Sequence, residues 1–182
     1  MQTEKRRPTG LIDYFALALT TFGVGYIPGA PGTYGSAVGV GIYLLSWQWV
    51  QSLRSNGFGF LIGPAEPVLY GFFGVLLVVG TLISFWAASR SISLLGSEDP
   101  HEAVVDEVVG QLITFAFVPF GIGWPLILTG FILFRIFDIW KPYPIDDLQN
   151  LHGGLGICAD DIVAGVYAGI CLSVIYAAML SV

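Results

Sequence analysis

Read by its apolar and polar positions, the chain contains long stretches with no charged side chain, at 14–53, 55–65, 67–89, 108–134 and 162–182. A helix needs about 20 mostly apolar residues to cross roughly 30 Å of hydrocarbon. Four of the five stretches are therefore long enough for at least one crossing. The exception, 55–65, carries Asn56, Gly57, Gly59, Gly63 and Pro64 and reads as a loop between spans. Within 108–134, Pro119, Gly121, Gly123 and Pro125 break the apolar pattern midway, which predicts a helical hairpin that enters the membrane and returns. Full crossings are expected at 33–50, 67–89 and 162–182. Residues 11–27 are expected to be half-inserted or re-entrant, as is tolerated where irregular backbone is buried in protein or lines a polar cavity. The predicted fold class is all-α, a polytopic membrane helical bundle forming one domain over residues 1–182, with 1–10 as a basic tail.

Composition agrees with this pattern and removes other classes. Of 182 residues, 55% are hydrophobic and 11% charged, against about 25% charged in globular domains. The net charge of −6 with no basic stripe disfavours nucleic-acid binding. Two cysteines, Cys158 and Cys171, are too few for a disulfide framework. The N-terminal MQTEKRRPTG lacks a small-residue cleavage site after a short apolar core, so it is expected to be a cytoplasmic anchor and not a removable signal. Cytoplasmic loops carry the excess of Lys and Arg. With the crossings above, one face holds Lys5, Arg6, Arg7, Arg90, Arg135 and Lys141, and the other holds Arg54. The first face is expected to be cytoplasmic and the C-terminus to lie outside. A full crossing by 11–27 would reverse that orientation.

Beyond the tail, most charges fall in two clusters, 90–107 and 135–161, which the hairpin returns to the same face. Asp99, Glu102 and Asp106 are spaced by three and four, placing them on one face of a helix expected to start near Pro100 with Asp99 as its N-cap. Glu107 is expected to face about 100° away from Asp106. Glu98, Asp99 and Glu102 fit an ordinary solvated helix start equally well. Asp106 and Glu107 lead straight into the apolar VVGQLITFAFV, where a carboxylate at the membrane boundary is expensive unless it meets a cation, a partner or a wet cavity. They are therefore candidate functional residues.

Arg135, Asp138 and Lys141 recur every three residues at the end of a helix that Pro142 terminates. Snorkelling cations with a neutralising Asp would give the same pattern, but cations beside carboxylates also suit a phosphate. Gly153, Gly154 and Gly156 precede the adjacent carboxylates Asp160 and Asp161, which open the last span and point to a bound metal. Ala164, Gly165, Ala168 and Gly169 read as a helix-packing stripe. Neither His101 nor His152 is placed by local spacing to activate Cys158 as a nucleophile. The Pro28–Ser36 turn, with Thr33 and Ser36, opens a helix whose N-terminus could hold an anion. Oxygen donors without His or Cys ligand spacing suggest Mg²⁺. Magnesium with Arg, Lys and amide donors suggests a phosphate held at the lipid surface.

PGTYGS at 31–36, DPHEAVVDEVVG at 99–110, FRIFDIWKPYPI at 134–145 and GGLGICADDIVAG at 153–165 resemble, in order, the four signature blocks of the bacterial phosphatidylglycerophosphatase A family. The resemblance covers about residues 14–176. It implies Mg²⁺-dependent removal of the terminal phosphate from phosphatidylglycerophosphate, giving phosphatidylglycerol in phospholipid biosynthesis, at the cytoplasmic side of a bacterial inner membrane. Motif positions carry over to Thr33, Ser36, Asp99, Asp106, Glu107, Arg135, Asp138, Lys141, Asp160 and Asp161. The resemblance implies metal ligands among Asp106, Glu107, Asp160 and Asp161, and a catalytic set of these four with Asp138. It implies phosphate binding by Thr33, Ser36, Arg135 and Lys141. Either a carboxylate or an activated water could attack.

Two competing readings are a small transporter or channel and a phosphatidyl-group transferase. A transporter needs acids through the depth of the bilayer, yet 67–89, 108–134 and 162–182 contain none. The DGxxAR pattern of one transferase class is missing, as are the KxxxxxxRP and PSGH patterns of another lipid phosphatase class.

Overall fold

The computed structural model describes residues 5–58, 66–97, 100–149 and 151–181, and the regular secondary structure of these residues is helical. The chain folds as α1 (Leu11–Thr21), a 3₁₀ turn (Val24–Tyr26), α2 (Pro31–Leu53), α3 (Glu66–Leu95), α4 (Val105–Phe115), α5 (Trp124–Trp140), α6 (Ile145–Leu148) and α7 (Gly154–Leu180). The expected loop at 55–65 begins as a π-helical turn, Arg54–Phe58, that extends α2. Glu98 and Asp99 lie outside the described residues.

α3 and α7, with 30 and 27 residues, are long and apolar enough to cross a membrane. Val68, Val75, Val78 and Leu82 of α3 are each about 60–70% exposed. A soluble monomer rarely leaves so continuous an apolar surface in water, so this is a membrane protein. α1, at 11 residues, is about 16 Å long and too short to span.

The break expected within 108–134 is present: α4 ends at Phe115 and α5 starts at Trp124 with Pro125 in its first turn, where a missing N–H costs nothing. The backbone N–H groups of Gly121 and Ile122 donate to the Tyr43 hydroxyl of α2 at 2.9 and 3.3 Å, so the turn's donors are satisfied inside the protein. Tyr43 packs there with Phe115, Val118, Ile122, Leu126, Ile127 and Leu172 as one apolar core.

α4 is the central strut, packed against α7 and α2. Its crossing with α7 is close because Gly110 meets Gly165: a Cβ on Gly110 would stand 2.6 Å from the Asp161 carbonyl oxygen, and one on Gly165 would strike the Gly110 carbonyl. The Ala164, Gly165, Ala168 and Gly169 stripe is buried: Gly165 serves this crossing, Gly169 faces Phe117, and Ala164 and Ala168 pack with Phe134 of α5 and Ile145.

One expectation is overturned. The helix predicted from Pro100 starts at Val105, because Ala103 closes a turn on the Pro100 carbonyl and the Val104 N–H donates to the Thr20 carbonyl of α1 at 2.9 Å. Glu102 therefore does not stack on Asp106 along a helix face.

Candidate active site

The site is built from four helix ends. The first turn of α4 supplies Asp106 and Glu107, the last turn of α5 supplies Asp138 and its cap Lys141, the second turn of α7 supplies Asp160 and Asp161, and the start of α2 supplies Pro31 and Gly32. Pro31, Asp106, Glu107, Asp138, Lys141, Asp160 and Asp161 line one cavity of about 840 Å³. That volume suits a small polar ligand or a lipid headgroup. The end of α3, the 100–103 turn, and Gln149 with the segment leading into α7 also border it, so both charge clusters of the sequence line the same space.

Asp106, Glu107 and Asp161 each offer an oxygen within 4.8 Å of the others. The sequence placed Asp106 and Glu107 about 100° apart on their helix, yet their flexible side chains converge. Asp161 is buried, and Asp106 Oδ1, Glu107 Oε2 and Asp160 Oδ1 are buried without a hydrogen-bond partner among the described residues. Unpaired buried carboxylate oxygens are expensive, and three like charges so close raise that cost. A cation among them answers both problems. The donors are oxygens alone, which fits a hard divalent ion better than zinc or copper.

The fourth acid expected at the metal is held differently. Asp160 Oδ2 accepts from Lys141 Nζ at 2.6 Å. Lys141, the residue after α5, adopts a left-handed conformation (φ +47°) and so does not continue the helical path that carries Arg135 and Asp138. The regular three-residue spacing thus separates into an ion pair within α5, Arg135 with Asp138, and one between α5 and α7, Lys141 with Asp160.

Arg135 also donates to Ser36 Oγ at 3.4 Å, and Ser36 donates to the Gly32 carbonyl at 2.9 Å. Gly32 explains one glycine of the PGTYGS block: a Cβ there would lie 2.9 Å from Arg135 Nη1 and collide with Glu107 Oε1. The missing side chain lets both the cation and the carboxylate approach the α2 backbone. Ser36 is fully buried and Thr33 is half-buried one turn nearer the helix start; of the four residues expected to bind phosphate, Lys141 lines the cavity, whereas Thr33, Ser36 and Arg135 are not among its described lining residues. The glycines of 153–156 serve the fold as well as the cavity. A Cβ on Gly154 would strike the Phe85 carbonyl of α3, and the Gly154 N–H donates to Ser89 Oγ at 2.7 Å.

Three features escaped the sequence reading. His101 and His152, distant in sequence, both line the cavity. Asp13 is almost fully buried between Arg6 and Arg90 at 3.1 and 2.8 Å and accepts the Thr9 N–H at 3.0 Å, tying the tail to the end of α3. Gln111, a lone amide four residues beyond Glu107 in an uncharged run, is fully buried. Its position on the Glu107 face was the available signal.

Apolar helices that need lipid, and buried acids with Lys141 at a headgroup-sized cavity, describe a membrane protein with a candidate site for a cation and a phosphate group. The sequence model described as phosphatidylglycerophosphatase A matches residues 17–176. A Bacteroides thetaiotaomicron protein provisionally named phosphatidylinositol-3-phosphatase is 37% identical over 85% of this chain and 89% of its own length. The phosphatidylglycerophosphatase A of Escherichia coli is 33% identical over 80% of this chain and 73% of its own, and that of Haemophilus influenzae 35% identical over 87% and 86%. No solved structure matches the chain. The chain belongs to the phosphatidylglycerophosphatase A family.

Proposed function

We propose that this enzyme hydrolyses the terminal phosphate of phosphatidylglycerophosphate, with Mg²⁺, to phosphatidylglycerol and inorganic phosphate. The observation that carries the reading is the group Asp106, Glu107 and Asp161, with buried, unpartnered oxygens on Asp106 and Glu107, beside the Lys141–Asp160 and Arg135–Asp138 pairs. Asp106, Glu107 and Asp161 would hold the ion, with Asp160 at their edge. A bound Mg²⁺ supplies Lewis-acid polarisation of the phosphoryl oxygens.

The chain's own residues do the rest. Lys141 and Arg135 neutralise charge on the non-bridging oxygens as the ester P–O bond breaks. Asp160 and Asp138 hold those two cations in place. Ser36 orients Arg135, and Thr33 contributes its hydroxyl at the α2 start. Water supplies the oxygen that ends on phosphorus, and the leaving glycerol oxygen takes up a proton. Acids in the cavity wall are the groups positioned to carry the proton between them.

The whole chain would act as one membrane domain of several crossings, with α1 half-inserted and the α4–α5 hairpin re-entrant. The site would face the cytoplasm of a bacterial inner membrane, where Lys5, Arg6, Arg7, Arg90, Arg135 and Lys141 would share one face, opposite Arg54. A second reading, a phosphoinositide monoester as substrate, is favoured by the name of the Bacteroides relative. Phosphate release from phosphatidylglycerophosphate, phosphatidylinositol 3-phosphate and phosphatidic acid, each with Mg²⁺ or EDTA, tests both. The first lipid is expected to be cleaved fastest and only with the cation. Preference for the inositol lipid would install the second reading, and no cation-dependent release from any lipid would overturn both.

A further inference from the structure

Gln111 is fully buried on α4, and among the described residues neither its amide nitrogen nor its amide oxygen has a hydrogen-bond partner. A leucine or methionine would fill the same seam without leaving two polar atoms unsatisfied, so packing does not account for this side chain.

Its position does. α2 and α4 run side by side in the same sense: a Cβ on Gly35 would stand 3.2 Å from Glu107 Cβ, and one on Gly39 2.9 Å from Gln111 Cβ. Glu107 and Gln111 therefore lie one turn apart in one seam, each facing a glycine of α2. Side chains on a helix lean toward its N-terminus, so the Gln111 amide covers the turn that carries Glu107. Glu107 Oε2 is itself buried and unpartnered. Residues four apart on a helix are within side-chain reach, and this pair offers an unsatisfied donor and an unsatisfied acceptor.

We propose that Gln111 is a positioning residue for Glu107, donating its Nε2–H to the Glu107 carboxylate when that carboxylate ligates the cation. The inference rests on the reading of Glu107 as a metal ligand. A ligating carboxylate held by an outer hydrogen bond keeps its orientation, and loss of such a partner typically weakens metal binding 10–100-fold.

The test uses the full chain in detergent, carrying Gln111→Met and, separately, Gln111→Leu. Mn²⁺ binding is followed by electron paramagnetic resonance, and Mg²⁺ binding by the rise in melting temperature. Both variants are expected to bind the cation about 10–100-fold more weakly, with a cation-free melting temperature equal to or above that of the unsubstituted chain. Unchanged cation affinity in either variant overturns the proposal. So does a fall in cation-free melting temperature without a fall in affinity, since that marks a structural role only. If the unsubstituted chain itself binds neither ion, the metal reading fails and takes this inference with it; if it binds and the variants bind equally, this inference alone fails.

Discussion

Lys141 holds its ammonium 2.6 Å from Asp160 Oδ2, across the gap between the end of α5 and the start of α7. The pair spans 19 positions in sequence and fixes a cation at the cavity wall, beside the Asp106, Glu107 and Asp161 group. Among the described residues Lys141 donates to Asp160, and an ammonium carries three donors, so two remain to meet phosphate oxygens.

Lys141→Ala is accordingly expected to lower the rate of lipid phosphate release by about 10²–10³-fold, the usual cost of removing one preorganised donor. Lys141→Arg keeps the charge but changes its shape and is expected to recover only part of the rate. Asp160→Asn should reproduce a milder loss, because it frees the lysine without removing it. The assay is initial-rate phosphate release in mixed micelles; wild-type rates in Lys141→Ala would remove the residue from the site.

The carboxylate group predicts opposite effects on stability and activity. Without a cation, Asp106, Glu107 and Asp161 repel one another in a buried place. Asp161→Asn is expected to raise the melting temperature in EDTA by a few degrees, the shift that about 1 kcal/mol produces in a chain of this size. The same change should abolish phosphate release and remove the stabilisation that Mg²⁺ gives the unsubstituted chain by mass action. Thermal unfolding with and without Mg²⁺ checks both halves.

Gly32 tests the approach of Arg135 and Glu107. A methyl group at this position meets both side chains, so Gly32→Ala must displace one of them. Phosphate release is expected to fall at least about 10-fold, since misplacement by roughly 1 Å costs up to 10²-fold. The helix should persist, because alanine favours it over glycine. Circular dichroism beside the rate assay separates the two effects.

Asp13 makes a pH prediction. Its carboxyl is pulled from 3.8 down to about 2, first by the Thr9 backbone N–H and then by Arg6 and Arg90. A depressed carboxyl stabilises the fold above its ordinary value, and that contribution is lost as pH falls toward 2. Hydrogen-exchange protection of the Arg6 amide, which donates to the Ser93 carbonyl at 2.7 Å, should hold from pH 7 to about 4.5 and fall between about 4 and 2. Asp13→Asn is expected to lose that protection at every pH.

Much of the fold was legible because its signals are local. Pro119, Gly121, Gly123 and Pro125 mark the hairpin turn, since each acts on its own backbone. Pro142 marks the end of α5 for the same reason, and the buried small residues of α7 follow helical spacing. The misplaced start of α4 has the opposite character. Asp99, Glu102 and Asp106 satisfy a helical spacing, but Val104 spends its N–H on Thr20 of α1, a partner more than eighty positions away. The partners of Asp13 are hidden in the sequence for the same reason, since Arg90 reaches it only once α1 packs on α3.

By itself the sequence determined that the helices need lipid, where the chain turns, and which acids, cations and glycines are available for a site. These follow from hydropathy, from backbone preferences and from the scarcity of charge. The tertiary structure decided which of them meet. Close packing at Gly110 and Gly165 brings Asp161 to Asp106 and Glu107, Lys141 leaves the helical path of α5 and pairs with Asp160, and the bare face of α2 seats Glu107 above Gln111. Spacing along one helix fixes only the direction in which a side chain leaves the backbone; which charges share a cavity depends on how closely different helices can approach.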